Sequence, residues 1–230
     1  MSPSASLSEQ EAGRVDLFIL PLSSDLRADV CTPRVAHPIR DVLCSGEREL
    51  GDVLEVQLEQ PFVRLLERRL ARELLRPSNS ADWLVKNTAR GGPASGKWAH
   101  PDVVLTSIRR YRSKASPELE LFGFELKTSQ GFETSAVHQA LAHLRYVHYS
   151  HVVVCCPDHD LWENKLADVR FHAQAHGVGV IRLLSASEDA DYEISIQARR
   201  GDPLPSAVDG FLEKRLPDAL SWIDQRLGRE

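Results

Sequence analysis

Cysteines and long hydrophobic runs are scarce in this sequence. Only four of its 230 residues are cysteine, none is spaced as CxxC, and Cys155 and Cys156 lie together in the apolar run HVVVCCP, so we expect buried free thiols rather than a disulfide or a metal site. No stretch approaches about 18 uninterrupted apolar residues, and the first segment, MSPSASLSEQEAGR, lacks the charged and then apolar order of a secretory signal. These absences predict a cytoplasmic protein with no membrane segment.

Two familiar site patterns are also missing. The glycine-rich segment ARGGPASGKW does not have the Lys-Ser/Thr ending of a phosphate-binding loop, because Trp98 follows Lys97. Four histidines fall close together, but their intervals of five, five and three residues do not repeat one ligand face, so we predict no zinc site among them; they are His138, His143, His148 and His151. The sequence therefore argues against an NTPase and against a zinc centre built from these four.

What remains has the composition of an ordinary globular protein. Hydrophobic residues make up 42% of the chain and charged residues 27%, which is enough to form a packed core. At this length we predict one α/β domain over residues 15–230, preceded by a disordered tail over residues 1–14. An early strand is expected in VDLFILPL, with a second around Arg27 to Val35.

Hydrophobic spacing predicts the order of elements in the middle of the chain. Apolar residues recur at helical intervals from Asp52 to Arg76, and Pro61 is expected in the first turn of this helix. Strands are expected in ADWLVKN, PDVVLTSIRRY, LELFGFELKTS and HVVVCCP. A helix capped by Thr134 or Ser135 is expected between the last two. The predicted order is therefore helix, three strands, helix, strand.

Further helices and strands are expected in the last third of the chain. A helix is expected to begin at a capping box formed by Asp160 and Glu163 and to end at Gly177. Two further strands are expected in VGVIRLL and YEISIQA. The C-terminal segment from Ser206 has helical spacing but should be broken at Pro217.

Three charged residues lie in two of the predicted strands. Asp102 begins one strand, and Glu125 and Lys127 lie in the next, 23 residues further along. Because a strand has a period of two, Glu125 and Lys127 should share one face, whereas Leu126 points into the core and leaves its carbonyl free to help hold a metal. Two converging carboxylates are the hard oxygen ligands that Mg²⁺ prefers, and Mn²⁺ can substitute for it. A lysine beside them can orient water or stabilise developing charge on a phosphate.

These residues and the element order resemble the PD-(D/E)XK nuclease superfamily, on the segments HPDVVL and FELKTS. The resemblance implies a restriction-endonuclease-like core over about residues 52–157, a central mixed β-sheet flanked by helices, with N- and C-terminal extensions. It implies that Asp102 and Glu125 bind metal and that Lys127 is the catalytic lysine. It also implies an acid on the first helix, for which we choose Glu59, with Glu55 as the alternative.

A glutamine after the third strand extends the resemblance. Gln139 and His143 are four residues apart and share a helical face, as do the glutamine and tyrosine of the QxxxY pattern in exonuclease-like members of the superfamily. His143 departs from that pattern, which weakens assignment to the exonuclease branch. Gln139 is expected to orient the substrate backbone or the active-site lysine.

Basic charge is concentrated beside Asp102 although the whole chain has a net charge of −5. Seven basic residues and one acid lie between Lys86 and Lys114, which favours a phosphate-facing surface over an ordinary solvated loop. The expected nucleic-acid-binding residues are Arg90, Lys97, Arg109, Arg110 and Arg112.

Taken together, the sequence predicts a magnesium-dependent nuclease that cleaves DNA, with RNA as an alternative substrate, in restriction, anti-phage defence or DNA repair. One compact domain has limited surface for sequence readout, so a homodimer or a partner subunit is expected to supply targeting. The alternatives are a non-cleaving nucleic-acid-binding or scaffold protein of the same fold, and a structural partner subunit whose site is accidental.

Overall fold

The fold is taken from a computed structural model, which describes residues 54–75, 81–89 and 100–228. The expected tail, the two early strands and most of the glycine-rich loop lie outside the described residues. Across the described ranges, no helix combines the length and the apolar character needed to cross a membrane.

The first helical region is continuous, with one wider, π-helical turn inside it. It consists of α1 (Glu55–Leu65), a π-helical turn (Leu66–Leu70) and α2 (Ala71–Leu74). The prediction that Pro61 lies in the first turn is wrong, because the helix begins six residues earlier, where the side chain of Gln57 accepts a hydrogen bond from the Leu54 backbone at 3.0 Å. Proline lacks an N–H for the helical ladder, but the buried residues on either side of it, Leu58 and Phe62, hold this turn against the sheet.

Six strands in the described residues form one mixed sheet, arranged in the order in which they occur in the chain. Neighbouring strands are antiparallel among the first three, parallel among the third, fourth and fifth, and antiparallel between the fifth and the sixth. This is an α/β fold with a central mixed sheet, as expected. The strands are β1 (Ala81–Asn87), β2 (Val103–Arg109), β3 (Glu118–Thr128), β4 (Tyr149–Cys155), β5 (Gly179–Leu183) and β6 (Tyr192–Ile196).

The other helices occur where the spacing predicts them, but two of the expected caps are wrong. Glu133, rather than Thr134 or Ser135, occupies the N-cap of the third helix. The next helix is capped two residues early, because Asp158 accepts a hydrogen bond from the Leu161 backbone at 2.8 Å. The break at Pro217 is confirmed. The helices are α3 (Thr134–His143), α4 (His159–His176), α5 (Pro205–Arg215) and α6 (Pro217–Leu227).

The sheet separates two apolar layers, and β3 contributes to both. Phe124 and Leu126 pack on the side of α1 and α2, against Phe62. Leu121 packs on the other side, with Phe211 of α5. Because side chains alternate along a strand, the odd-numbered residues of β3 face the layer formed by α3 to α6. Glu125 and Lys127 belong to that face.

Candidate active site

Four hydrogen bonds with backbone groups fix Asp102 at the start of β2, one of them from the N–H of Ala89 to the Asp102 carbonyl at 2.9 Å. Its own N–H donates to the carbonyl of Phe124 at 2.9 Å, and its carbonyl accepts from the N–H of Thr88 at 2.8 Å. Its side-chain Oδ2 accepts from the N–H of Leu126 at 2.8 Å. The aspartate is therefore tied to β3 and to the turn after β1, and no described residue forms a hydrogen bond with its Oδ1.

Glu125 and Lys127 lie on one face of β3, as the strand period predicts. Lys127 Nζ is 2.9 Å from Glu125 Oε1, and the two side chains are only 11% and 9% exposed. Leu126 is buried in the opposite layer. Its backbone reaches the site through the N–H that binds Asp102, and ligation of a metal by its carbonyl stays a prediction.

Helix α1 brings two acids to the edge of this cluster. Glu55 Oε1 lies 3.3 Å from Lys127 Nζ. Glu55, the alternative to Glu59 for the acid on the first helix, therefore contacts the lysine directly. Glu59, the first choice, is buried and accepts a hydrogen bond from the side chain of Asn87 at 2.8 Å. Asn87 was not found from the sequence, because a single amide at a strand end carries no recognisable pattern.

Helix α3 closes the cluster from the other side. His143 is 1% exposed, and its Nε2 lies 3.7 Å from Glu125 Oε2. Neither ring nitrogen has a hydrogen-bond partner among the residues that the structure describes. Gln139 is also buried, on the same helical face about 6 Å earlier along the axis. Since α3 runs back from the end of β3 to the start of β4, that displacement places Gln139 toward the Lys127 end.

The electrostatics of the cluster follow from its burial. Burial raises the pKa of Asp102 above its ordinary value, although the N–H of Leu126 opposes this. Burial and then repulsion from Asp102 raise the pKa of Glu125 to about 7. Burial also lowers the pKa of Lys127, but the adjacent carboxylates, Glu125 first, outweigh that effect and raise it overall. At neutral pH, Glu125 is therefore close to half-protonated, whereas Lys127 is charged.

His143 is uncharged in this setting. Burial, followed by repulsion from His100, lowers the pKa of its ring to about 3. A neutral imidazole facing a carboxylate adds no positive charge to the cluster. In the described residues, four carboxylates therefore interact around the single lysine, Lys127; they are Glu55, Glu59, Asp102 and Glu125.

This excess of carboxylate fits a hard divalent cation. Asp102 and Glu125 supply oxygen donors from neighbouring strands, and burial, followed by repulsion from Asp102, raises the pKa of Glu125 and so disfavours its charged form. Mg²⁺ and Mn²⁺ prefer such oxygen ligands. A cation bound there would favour the charged form of both carboxylates.

Among the described residues, those of the expected basic surface do not form one patch beside Asp102. Arg109 does not lie on the surface, as a nucleic-acid-binding residue was expected to. It is 5% exposed and donates to Glu120 at 2.8 Å and to the Leu75 carbonyl at 3.1 Å, so its guanidinium is held in the protein interior. Seven strand residues separate it from Asp102, a distance of roughly 23 Å. Arg110 and Arg112 are exposed at that same far end. Arg90 and Lys97 lie outside the described residues.

A basic pocket lies nearer to Asp102. Its volume is about 310 Å³, and its walls include three basic residues, Lys86, Lys214 and Arg215, and one acid, Asp218. Thr88, whose N–H binds the Asp102 carbonyl, also lines it. Lys86 belongs to the basic stretch seen in the sequence. The other two basic residues come from α5, more than a hundred residues later, and only the fold brings them to this place.

Comparisons with known proteins provide no assignment. No protein-family model matches the sequence, and no curated protein is significantly similar to it. A solved structure of SPO1766, a protein of unknown function from Silicibacter pomeroyi, aligns with a TM-score of 0.41 and 16% identity over 74% of this chain and 92% of that one. A likeness of that strength identifies neither a family nor a function.

Proposed function

We propose that the chain is a metal-dependent nuclease of the PD-(D/E)XK type that hydrolyses phosphodiester bonds in DNA. The observation that carries this proposal is the convergence of Asp102, Glu125 and Lys127 on one sheet face, with the two acids on adjacent strands. An exposed ion pair would stabilise the fold by less than about 1 kcal/mol. A gain of that size does not explain why a glutamate with a raised pKa is buried here. Buried groups with raised pKa values are typical of functional sites.

The arrangement of elements supports a restriction-endonuclease-like core. A helix, three antiparallel strands, a helix and a strand parallel to the third strand follow one another from α1 to β4. The acids and the lysine lie on the second and third of these strands, the positions that the superfamily resemblance implies. An α/β sheet can host many activities, so the proposal depends on the side chains more than on the fold.

Each residue has a distinct part in the proposed reaction. Asp102 Oδ1 and Glu125 would hold Mg²⁺, which would polarise the phosphate and lower the pKa of a bound water. Lys127 is held between Glu125 and Glu55, where its amine can orient the attacking water and stabilise charge that develops on the phosphate. Since Lys127 stays protonated, it acts as an electrostatic group rather than as the general base.

The rest of the cluster keeps these groups in place. Glu55 gives Lys127 a second carboxylate partner besides Glu125, and Asn87 orients Glu59. Gln139 retains its expected role of orienting the substrate backbone or Lys127. The pocket with Lys86 and Lys214 lies where a phosphate chain could approach Asp102. Action in restriction, anti-phage defence or DNA repair, and targeting by self-association or by a partner subunit, belong to the same proposal.

Incubation with labelled nucleic acids tests this function. Linear duplex, closed circular and single-stranded DNA, and RNA, are each incubated with Mg²⁺, with Mn²⁺ and with a chelator. Wild-type protein should cleave DNA only with metal, and Asp102→Asn should abolish this cleavage because a metal ligand is lost. Asp82→Asn is the matched control, since Asp82 is an exposed strand aspartate paired with Arg226 at 3.0 Å.

Two results would contradict the proposal. Metal-dependent cleavage that is equal in Asp102→Asn and in the wild type would place the activity elsewhere or in a contaminant. DNA binding without cleavage under every condition would favour the non-cleaving, nucleic-acid-binding alternative.

A further inference from the structure

Three histidines on the outer side of α3 and α4 lie close together, away from the acidic cluster. His172 and His176 are one turn apart on α4 and therefore share a face. His138 approaches them from α3, with its ring centroid 5.9 Å from that of His172 and 6.4 Å from that of His176. A ligand nitrogen of each ring lies within 4.8 Å of those of the other two. The packing of α3 on α4 thus brings three imidazole rings close together.

The packing beneath these histidines fixes their separation. Val137 and Ala140 of α3 are buried against Val169 and Ala173 of α4, among the apolar residues of this layer. His138 and His172 each adjoin one of these core residues in sequence and remain half-buried, whereas His176 is exposed. The backbones are therefore held by the core, and the rings lie at its rim, where they can rotate.

We propose that His138, His172 and His176 bind a Zn²⁺ ion that joins α3 to α4. Tetrahedral zinc with Zn–N bonds of about 2.0–2.1 Å requires ligand nitrogens roughly 3.3 Å apart. The nitrogens are at most 4.8 Å apart, so small rotations of partly exposed rings reach that spacing. Three histidines leave the fourth position for water.

The ligand type distinguishes this site from the acidic cluster. Neutral imidazole suits zinc and other late transition metals, whereas Mg²⁺ prefers carboxylate and water oxygen. The two sites should therefore select different ions. The zinc site does not depend on the nuclease proposal, and either can fail without the other.

The expected consequence is stabilisation of the contact between the two helices. The ion would connect residues 138 and 172, which are far apart in the chain, and a ligand that binds only the folded state raises the stability of that state. Because His138 precedes Gln139 on α3, the same connection would steady the helix that carries Gln139 and His143 to the acidic cluster.

Zinc titration by calorimetry tests the proposal on the full-length chain without a histidine tag. All proteins carry Asp102→Asn, so that the acidic cluster does not contribute a strong zinc site. One Zn²⁺ per chain is expected, and His138→Gln, His172→Gln and His176→Gln should each weaken binding by at least about 100-fold, the upper end of the effect of losing an outer-shell partner. His159→Gln is the matched control, since His159 is exposed on α4 about 20 Å from His172.

Thermal unfolding provides the second readout. Zinc should raise the midpoint of the parent protein and of His159→Gln, but not that of His138→Gln. Absence of zinc binding to the parent would overturn the proposal. Unchanged affinity in His138→Gln relative to the parent, with a loss only in the two α4 variants, would also overturn it, because only the two histidines of α4 would then bind the ion.

Discussion

At the scale of single residues, the protonation of Glu125 is the feature with the clearest consequence. Its carboxyl is buried beside Asp102, with Lys127 as its nearest cation. A group held near its midpoint at neutral pH exchanges its proton for a metal ion readily, because little free energy separates the two charge states. The same property makes the stability of the metal-free protein sensitive to pH.

The sign of that sensitivity follows from the raised pKa of Glu125, about 7 when folded against 4.5 ordinarily. Below pH 4.5 the carboxyl is protonated in both states, and its contribution to stability is fully present. As the pH rises to 7 the unfolded chain releases this proton first, so the folded state loses up to ~3 kcal/mol. We expect Glu125→Gln to become progressively more stable than the wild type over this window and to keep a constant advantage above it.

Urea denaturation at a series of pH values, with a chelator present, measures this difference. Other titrating groups, including His143, affect both proteins and largely cancel. A difference in unfolding free energy that stays flat from pH 4.5 to 7 would mean that the pKa of Glu125 is ordinary in the folded protein.

Residues of the same type can have different environments that a sequence does not reveal. Lys127 and Arg109 are both basic residues on strands next to buried acids. From the sequence, Lys127 was expected to be catalytic and Arg109 to bind nucleic acid. Arg109 instead pairs with Glu120 across β2 and β3. The alternation of side chains along a strand predicts which face of the sheet a residue lies on. The register that brings Arg109 and Glu120 together depends on the connection between β2 and β3, which alternation does not predict.

At the scale of elements, the position of Asp102 depends on close packing between two strands. Gly123 of β3 lies opposite Val104 of β2. A Cβ added to Gly123 would lie 2.8 Å from Pro101 Cγ and 3.2 Å from Val147 Cγ2. A methyl group at this position must displace Pro101, and Asp102 is the next residue. The glycine therefore contributes to the geometry of the site through its lack of a side chain.

Gly123→Ala should lower stability by about 1–3 kcal/mol, the usual effect of overpacking, and should weaken Mn²⁺ binding by displacing Asp102. Gly210→Ala is the control, because nothing lies within 4 Å of a Cβ added there, and alanine should stabilise this helical position by roughly 0.5–1 kcal/mol. Denaturation and metal titration measure the two effects separately. Unchanged metal affinity in a folded Gly123→Ala protein would show that Asp102 does not depend on this contact.

Elements with a strong periodic pattern could be predicted together with some of their ends, whereas the starts of the helices could not. The segment ADWLVKN, expected as a strand, has the same bounds as β1, and Gly177, with φ of 72°, ends α4 as predicted. Pro61 misled the prediction because proline is common at helix starts, yet burial of Phe62 and its neighbours outweighs the missing hydrogen bond. The contact of Glu55 with Lys127 requires the packing angle of α1 on the sheet, which no local pattern encodes.

At the scale of the whole molecule, charge is distributed along the sheet rather than gathered at one place. The acidic cluster and the pocket with Lys86 and Lys214 lie at one end of β2, and Arg110 lies at the other, roughly 23 Å away. A duplex that contacted both would cross the length of β2. The net charge of −5 makes such local basic sites more important for binding nucleic acid than general attraction.

The central claim is that Lys127 acts on charge that develops during phosphodiester cleavage. Single-turnover cleavage of a labelled DNA at saturating Mg²⁺, with DNA affinity determined on the same preparation, measures this most directly. Lys114→Ala is the matched control, because Lys114 forms an ion pair with Glu118 at the opposite end of β3.

Lys127→Ala should reduce the cleavage rate by at least about 100-fold, on the scale of losing one preorganised electrostatic group. DNA affinity should change far less, because many phosphate contacts hold the substrate whereas Lys127 interacts most strongly with the transition state. Lys114→Ala should cleave at the wild-type rate. Full cleavage by a folded Lys127→Ala protein would contradict the account.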